Sequence, residues 1–130
     1  MIKKTFTFTD YNGVERTETH YFHLTKAELA KMESGITGGL AEKITRIIEA
    51  KDIPSVIEVL EDLIQRSYGV KTPDGRGFVK RKEDLESFMS TEAYSMLFME
   101  LGTNAEAASE FINGVIPEDM AKKNLEAANK

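Results

Sequence analysis

The dipeptide Asn12-Gly13 stands between two stretches of β-favouring residues, and no other short feature constrains the fold of this chain as strongly. Phe6 and Phe8 alternate with Thr5, Thr7 and Thr9, and residues 14–23 continue in Thr, Tyr, Phe, His and charge. An alternation of period two puts one set of side chains on each face of a strand. Asn and Gly both tolerate the positive φ of a two-residue type I′ turn, so residues 1–23 are predicted to form a β-hairpin. Two strands alone are marginal in water. The hairpin must therefore pack on helices or extend a neighbour's sheet, which would make the protein an oligomer.

From residue 24 the period changes to that of helices. Thr25 with Glu28 has the spacing of a capping box, and Leu24 with Leu29 that of a hydrophobic staple, so a helix should run to about Ser34 and stop at Gly35. A second, over residues 39–51, puts Leu40, Ile44, Ile47 and Ile48 on one face. A third opens at Asp52 or Ile53, ahead of Pro54. It carries Val56, Ile57, Leu60, Leu63, Ile64 and Tyr68 as a stripe and ends at Gly69 as a C′ glycine. Residues 69–82, with Pro73, Gly75 and Gly77, read as one irregular connection with a turn at Asp74-Gly75. A short helix follows near residues 83–89. Two more cover residues 91–101, capped by Ser90 and stopped by Gly102, and residues 104–113, where Thr103 with Glu106 repeats the capping spacing and Gly114 and Pro117 end the helix. The expected architecture is α+β, mainly α-helical: an N-terminal β-hairpin packed on a bundle of about five helices. It would form a single globular domain over residues 1–117, with the hairpin at 1–23 and the helical part at 24–117. Residues 118–130 would be a polar tail, either mobile or a frayed helix.

Composition then narrows the function. The chain of 130 residues, 41% apolar, is long enough to bury a core without crosslinks, and it has no cysteine. That excludes thiol catalysis, thiolate zinc sites and disulfide scaffolds. No apolar run behind Lys3 and Lys4 suggests a signal peptide, and nowhere do 18 apolar residues follow one another, so no membrane role is expected. His20 and His23, the 2 histidines, fall on opposite faces of a strand, and no metal is expected. Gly75-Arg76-Gly77 lacks the Lys-Ser/Thr of a phosphate loop, and Gly38-Gly39 is too short a signal for anion binding. The adjacent acids Glu61-Asp62, Glu83-Asp84 and Glu118-Asp119 point apart rather than converging on a bond or a metal. No catalytic, cofactor-binding or metal residues are therefore expected, and the protein is read as no enzyme.

The net charge of −5 hides an asymmetry. Residues 69–82 hold five basic residues and one acidic, whereas residues 83–119 hold nine acidic residues and no Lys or Arg. The plainer meaning of the second stretch is the solvated faces of two helices; the sharper one is docking on a basic partner. Lys80-Arg81-Lys82 beside Phe78 has the character of a nucleic-acid patch, but the carboxylates nearby argue against phosphate binding, so no nucleic acid is expected. Around Phe88, Met89, Tyr94 and Phe98 the apolar residues exceed what one stripe needs. Tyr94, Leu97, Phe98 and Leu101 make that stripe and leave Met96 and Met99 on its flank. Methionine is flexible and polarisable and suits surfaces that accept varied helical segments. The candidate partner-binding residues are Phe88, Met89, Tyr94, Met96, Met99, Glu100, Phe111 and Ile112.

Three stretches resemble the tail assembly chaperones of long-tailed (siphovirus-type) bacteriophages. They are the aromatic hairpin from Phe6 followed by Leu24-Thr25-Lys26-Ala27-Glu28-Leu29; Ser67-Tyr68-Gly69-Val70 with Asp74-Gly75-Arg76-Gly77-Phe78-Val79-Lys80; and Thr91-Glu92-Ala93-Tyr94-Ser95 through Leu97-Phe98-Met99-Glu100-Leu101, then Glu110-Phe111-Ile112-Asn113-Gly114-Val115-Ile116-Pro117. The resemblance implies a protein of the bacterial host cytoplasm that binds and solubilises the tape measure protein, helps recruit the tail tube protein, and leaves before the virion is complete. In many such phages a ribosomal frameshift also yields a longer form. The competing reading is a virion structural protein of the tail or head-tail completion type, which would remain in the particle.

Overall fold

In the computed structural model, which describes residues 1–34 and 39–116, the N-terminal hairpin comprises β1 (Ile2–Thr9) and β2 (Glu15–Phe22). The strands pair antiparallel from Ile2 opposite Phe22 to Thr9 opposite Glu15. The turn differs from the expected two-residue type I′. The Asp10 N–H donates to Val14 O (2.8 Å) and the Gly13 N–H to Asp10 O (3.0 Å), which closes a three-residue loop over Tyr11, Asn12 and Gly13. Only Gly13 has positive φ there (80°); Asn12 does not, as in a type I turn followed by a left-handed glycine. The Asp10 side chain decides between the two turns. Its Oδ1 accepts the N–H of Asn12 (2.9 Å) and of Val14 (3.0 Å), and Oδ2 takes Arg16 Nε at 2.7 Å. The bond from Arg16, first, and that from Val14 hold the Asp10 carboxyl below its ordinary pKa.

Six helices follow among the described residues: α1 (Lys26–Ser34), α2 (Gly39–Glu49), α3 (Ile53–Ser67), α4 (Lys82–Met89), α5 (Glu92–Thr103) and α6 (Ala105–Val115). The capping box forms as expected: the Glu28 N–H donates to Thr25 Oγ1 at 3.1 Å and the Thr25 N–H to Glu28 Oε1 at 3.0 Å. Asp52 caps α3, its Oδ1 accepting the Ser55 N–H at 3.3 Å, with Pro54 in the first turn. The expected stop at Gly35, the stop at Pro117 and the tail at 118–130 lie outside the described residues. So do the side chains of Leu40, Ile44, Ile47 and Ile48.

Residues 69–82 are not one irregular connection. Tyr68–Lys71 forms β3 and Phe78–Val79 forms β4, so the sheet has four antiparallel strands in the order β1-β2-β3-β4. Tyr21 pairs with Gly69 and Phe22 with Tyr68, then Val70 with Val79 and Lys71 with Phe78. Gly69 is therefore a strand residue, and Tyr68 already leaves α3 in extended conformation. The reason is steric: a Cβ on Gly69 would lie 2.6 Å from Phe78 Cε2, so the glycine lets that ring lie on the sheet. The turn at Asp74-Gly75 does form, with the Gly75 N–H on Thr72 O at 2.9 Å.

Two other glycines act differently from their expected part as stops. Gly102 lies inside α5, which runs to Thr103, and Gly114 lies inside α6, where Ile2 crosses so close that a Cβ would meet its side chain. Thr103 does not cap α6; its hydroxyl bonds back to Met99 O, and Asn104 caps instead, accepting the Ala107 N–H at 3.1 Å. Ser90 does not cap α5 either, since Thr91 holds the N-cap position.

The helices cover one face of the sheet. Ile2, Phe6, Phe8 and Phe22 meet Leu24, Leu29, Leu60, Leu63, Ile64, Phe88, Leu97, Leu101 and Phe111 in one core. The opposite face carries a ladder of hydroxyls, Thr5 with Thr19 and Thr7 with Thr17, each 3.0 Å apart.

Candidate functional site

Phe88, the last aromatic of α4, reaches under the sheet and is 2% exposed. Its ring stacks on Tyr68 (centroids 4.6 Å apart, planes at 4°) and meets Phe22 edge-on at 5.7 Å, with Tyr94 perpendicular at 5.8 Å. Thr91 fixes the sharp passage into α5, its hydroxyl donating to Phe88 O at 2.7 Å. Phe111 of α6 packs edge-on against Phe22 at 5.5 Å and is 1% exposed. Two of the residues expected to touch a partner, Phe88 and Phe111, are thus buried in the core and present nothing to solvent. A period of 3.6 marks apolar positions, but it does not say which of them the neighbouring sheet will cover.

The exposed remainder lies on α5. Met96 is 42% exposed and Met99 57%, while Leu97 and Leu101 on the opposite side of the helix are buried. Met96 is four residues from both Glu92 and Glu100, so the three share a face. Both carboxylates reach to the hairpin: Lys4 Nζ contacts Glu100 Oε1 at 2.9 Å, and Tyr11 donates its hydroxyl to Glu92 Oε1 at 3.0 Å. The Glu92 contact raises the Tyr11 pKa, first by that bond and then by its charge. Met96 is therefore held beside β1, between two acids anchored to the hairpin. Met89, Tyr94 and Ile112 are half-buried, and burial raises the Tyr94 pKa. Reading the sequence missed Lys4 and Tyr11. A signal was present for Lys4, since strand alternation puts it on the inner face with Phe6 and Phe8, where a lysine needs a carboxylate.

The basic stretch is partly spent inside the fold. Lys80 Nζ donates to Glu28 Oε2 at 2.7 Å and to His23 O at 2.8 Å, bracing the sheet against the start of α1. Burial alone would raise the Glu28 pKa, but the bonds from Lys80 and the Thr25 backbone bring it below its ordinary value. Lys71 Nζ lies 4.1 Å from the centroid of the Tyr21 ring. In contrast, Glu83, Asp84, Glu106 and Glu110 form no ion pair among the described residues.

The histidines do not converge. His20 touches Glu18 Oε1 through Nε2 (3.0 Å) beneath the sheet, and His23 lies past the end of β2 with its Nδ1 buried and unpartnered. Among the described residues no group of three or more His, Asp or Glu is placed to hold a metal. Burial first, then the amino terminus and Lys80, lowers the His23 pKa from 6.5 despite Glu28. The unfolded chain then binds the extra proton more readily than the folded one. His23 therefore destabilises the fold as pH drops below 6.5, towards its folded value, and costs nothing above 6.5. The expected result is a melting temperature that declines as the pH falls below 6.5 and declines less in His23→Gln, read by thermal unfolding at a series of pH values.

No described helix is long and apolar enough to cross a membrane. Compared with protein families, the whole chain, residues 1–130, matches the family described as phage tail assembly chaperone. Neither the curated proteins nor the solved structures give a match.

Proposed function

The chain belongs to the phage tail assembly chaperones, and on that premise we propose that it binds the tape measure protein, keeps it soluble, and helps recruit tail tube subunits during assembly. The family match along the whole chain carries this reading, and it suggests a role in protein association rather than catalysis. The work would take place in the host cytoplasm, and the protein would leave before the virion is finished.

The client face we propose is the outer side of α5, with Met96 and Met99 as its apolar centre, Glu100 beside them and the half-buried Met89 and Ile112 at its border. Tyr94, two residues from Met96 and packed on Phe88, turns instead to the inner side. Phe88 and Phe111 support it from beneath. Flexible thioethers adapt to the differing residues along a long helical client. Glu83, Asp84, Glu106 and Glu110 on the adjoining helices, which form no ion pair among the described residues, would repel other acidic surfaces.

Co-expression with the longest coiled-coil-like protein of the same gene neighbourhood tests this. The soluble fraction of that protein should rise, and the two should co-purify. A Met96→Ser, Met99→Ser variant should bind roughly thirtyfold more weakly, corresponding to about 2 kcal/mol of lost apolar burial, with little change in its melting temperature. Equal binding by a variant of unchanged stability would move the client face elsewhere. Absence of any rescue, with the chain retained in finished particles, would favour a structural protein of the virion.

A further inference from the structure

β1 borders the sheet, and along its eight residues it pairs with β2 alone among the described strands. The phase of the ladder shows which groups are left. The Asp10 N–H bonds Val14 O, and on the far side of β2 the His23 N–H bonds Ser67 O, so the even-numbered residues of β1 face β2 and the odd-numbered ones face outward. Among the described residues, the N–H and C=O groups of Lys3, Thr5, Thr7 and Thr9 thus form an uninterrupted free edge. Most proteins blunt an edge of this length with proline, a bulge or inward charge. Here Lys3 and Lys4 guard one end only, and Thr5 to Thr9 is open.

We propose that this edge is a strand-addition site for an extended partner segment that is apolar at alternate positions. On the inner face Phe8 is half-buried, and Met96 lies exposed beside the strand between Glu92 and Glu100, so apolar ground continues past the border of the sheet. Alternate side chains of an added strand would rest there, and the others would continue the threonine ladder. A second copy of this chain fits less well. Paired strands lie about 4.8 Å apart, whereas helices need roughly 8–10 Å. Two copies joined at β1 would press one α5 against the other and bring Glu92 and Glu100 to face their counterparts. A lone segment carries nothing beneath it. The chaperone reading bears on whose segment this is, not on the edge itself.

Thr7→Pro removes an outward N–H without breaking a backbone bond to β2, at the cost of the hydroxyl contact with Thr17. The probe is a capped peptide Lys-Val-Thr-Val-Thr-Val-Lys titrated into the full chain, with amide exchange followed residue by residue. Binding should slow exchange at Lys3, Thr5, Thr7 and Thr9 and leave Lys4, Phe6 and Phe8, already bonded, unchanged. Thr7→Pro should weaken binding about tenfold or more. If that variant does not fold, Thr7→Lys, which keeps the N–H but adds a gatekeeping charge, should weaken it as well. Absence of binding, protection confined to α5, or affinity unchanged in a folded variant would overturn the proposal. A dimer in sedimentation that Thr7→Pro dissolves would also overturn it, giving the edge to a second copy. Met96 is shared with the proposed client face, so the two readings are separated by the Thr7 variants, which leave Met96 and Met99 in place: client binding that survives in Thr7→Pro while peptide binding falls assigns the edge on its own.

Discussion

Phe88→Ala is expected to lower the unfolding free energy by about 3–5 kcal/mol. The ring is shared by several neighbours: it stacks on Tyr68, meets Phe22 and Tyr94 edge-on, and lies 6.5 Å from Phe6, so its loss opens a void between the sheet and α4 that no one side chain can refill. Aromatic pairs add to the burial itself. Domains of this size have about 5–15 kcal/mol in all, so the variant stands close to unfolding at host temperature. Urea titration followed by far-ultraviolet dichroism reads the effect as a lower midpoint with little change in slope. A stable Phe88→Ala that loses client binding would place this ring on the binding surface after all. A destabilised one, beside a stable double serine variant at Met96 and Met99, separates support from contact.

What could be read from the sequence depended on how far apart the deciding residues lie. The Thr25 and Glu28 capping box is legible because donor and acceptor are three residues apart and no other part of the chain takes part, whereas the sequence places only the opening of α3 at Asp52 or Ile53 and the structure adds that Asp52 caps it. The hairpin was legible, but its turn type was not. Asn-Gly permits type I′, whereas the Asp10 carboxylate, bonded to Asn12, Val14 and Arg16, favours the longer loop. Gly69, Gly102 and Gly114 were all read as stops, yet each lies within an element. At Gly69 and Gly114 the cause is a residue distant in sequence, Phe78 in one case and Ile2 in the other. The candidate surface divided in the same way. Helical spacing separated Met96 and Met99 from the buried Leu97 and Leu101, but it could not separate Phe88 and Phe111 from them, because their cover comes from β2 and β3.

Gly69→Val should destabilise the protein by about 1–3 kcal/mol, although valine is the better strand former by up to about 1 kcal/mol. The two effects compete at one site, and contact distance decides between them. A Cβ at residue 69 would lie 2.6 Å from Cε2 and 2.8 Å from Cζ of Phe78, so the ring must swing off the sheet. Phe78 pairs with Lys71 and is followed by Val79 and then by Lys80, which braces Glu28 and His23 O, so moving it also disturbs β4 and that brace. Gly102 is the control. Among the described residues nothing outside its own helix backbone and chain neighbours lies within 4 Å of a Cβ there, and the residue is helical, so Gly102→Ala should gain up to about 0.5–1 kcal/mol from backbone entropy alone. Thermal and urea unfolding of both variants should give shifts of opposite sign. If Gly69→Val is as stable as the wild type, the Phe78 ring is free to leave, and β3–β4 is held by its backbone pairing rather than by the aromatic ring lying over the glycine.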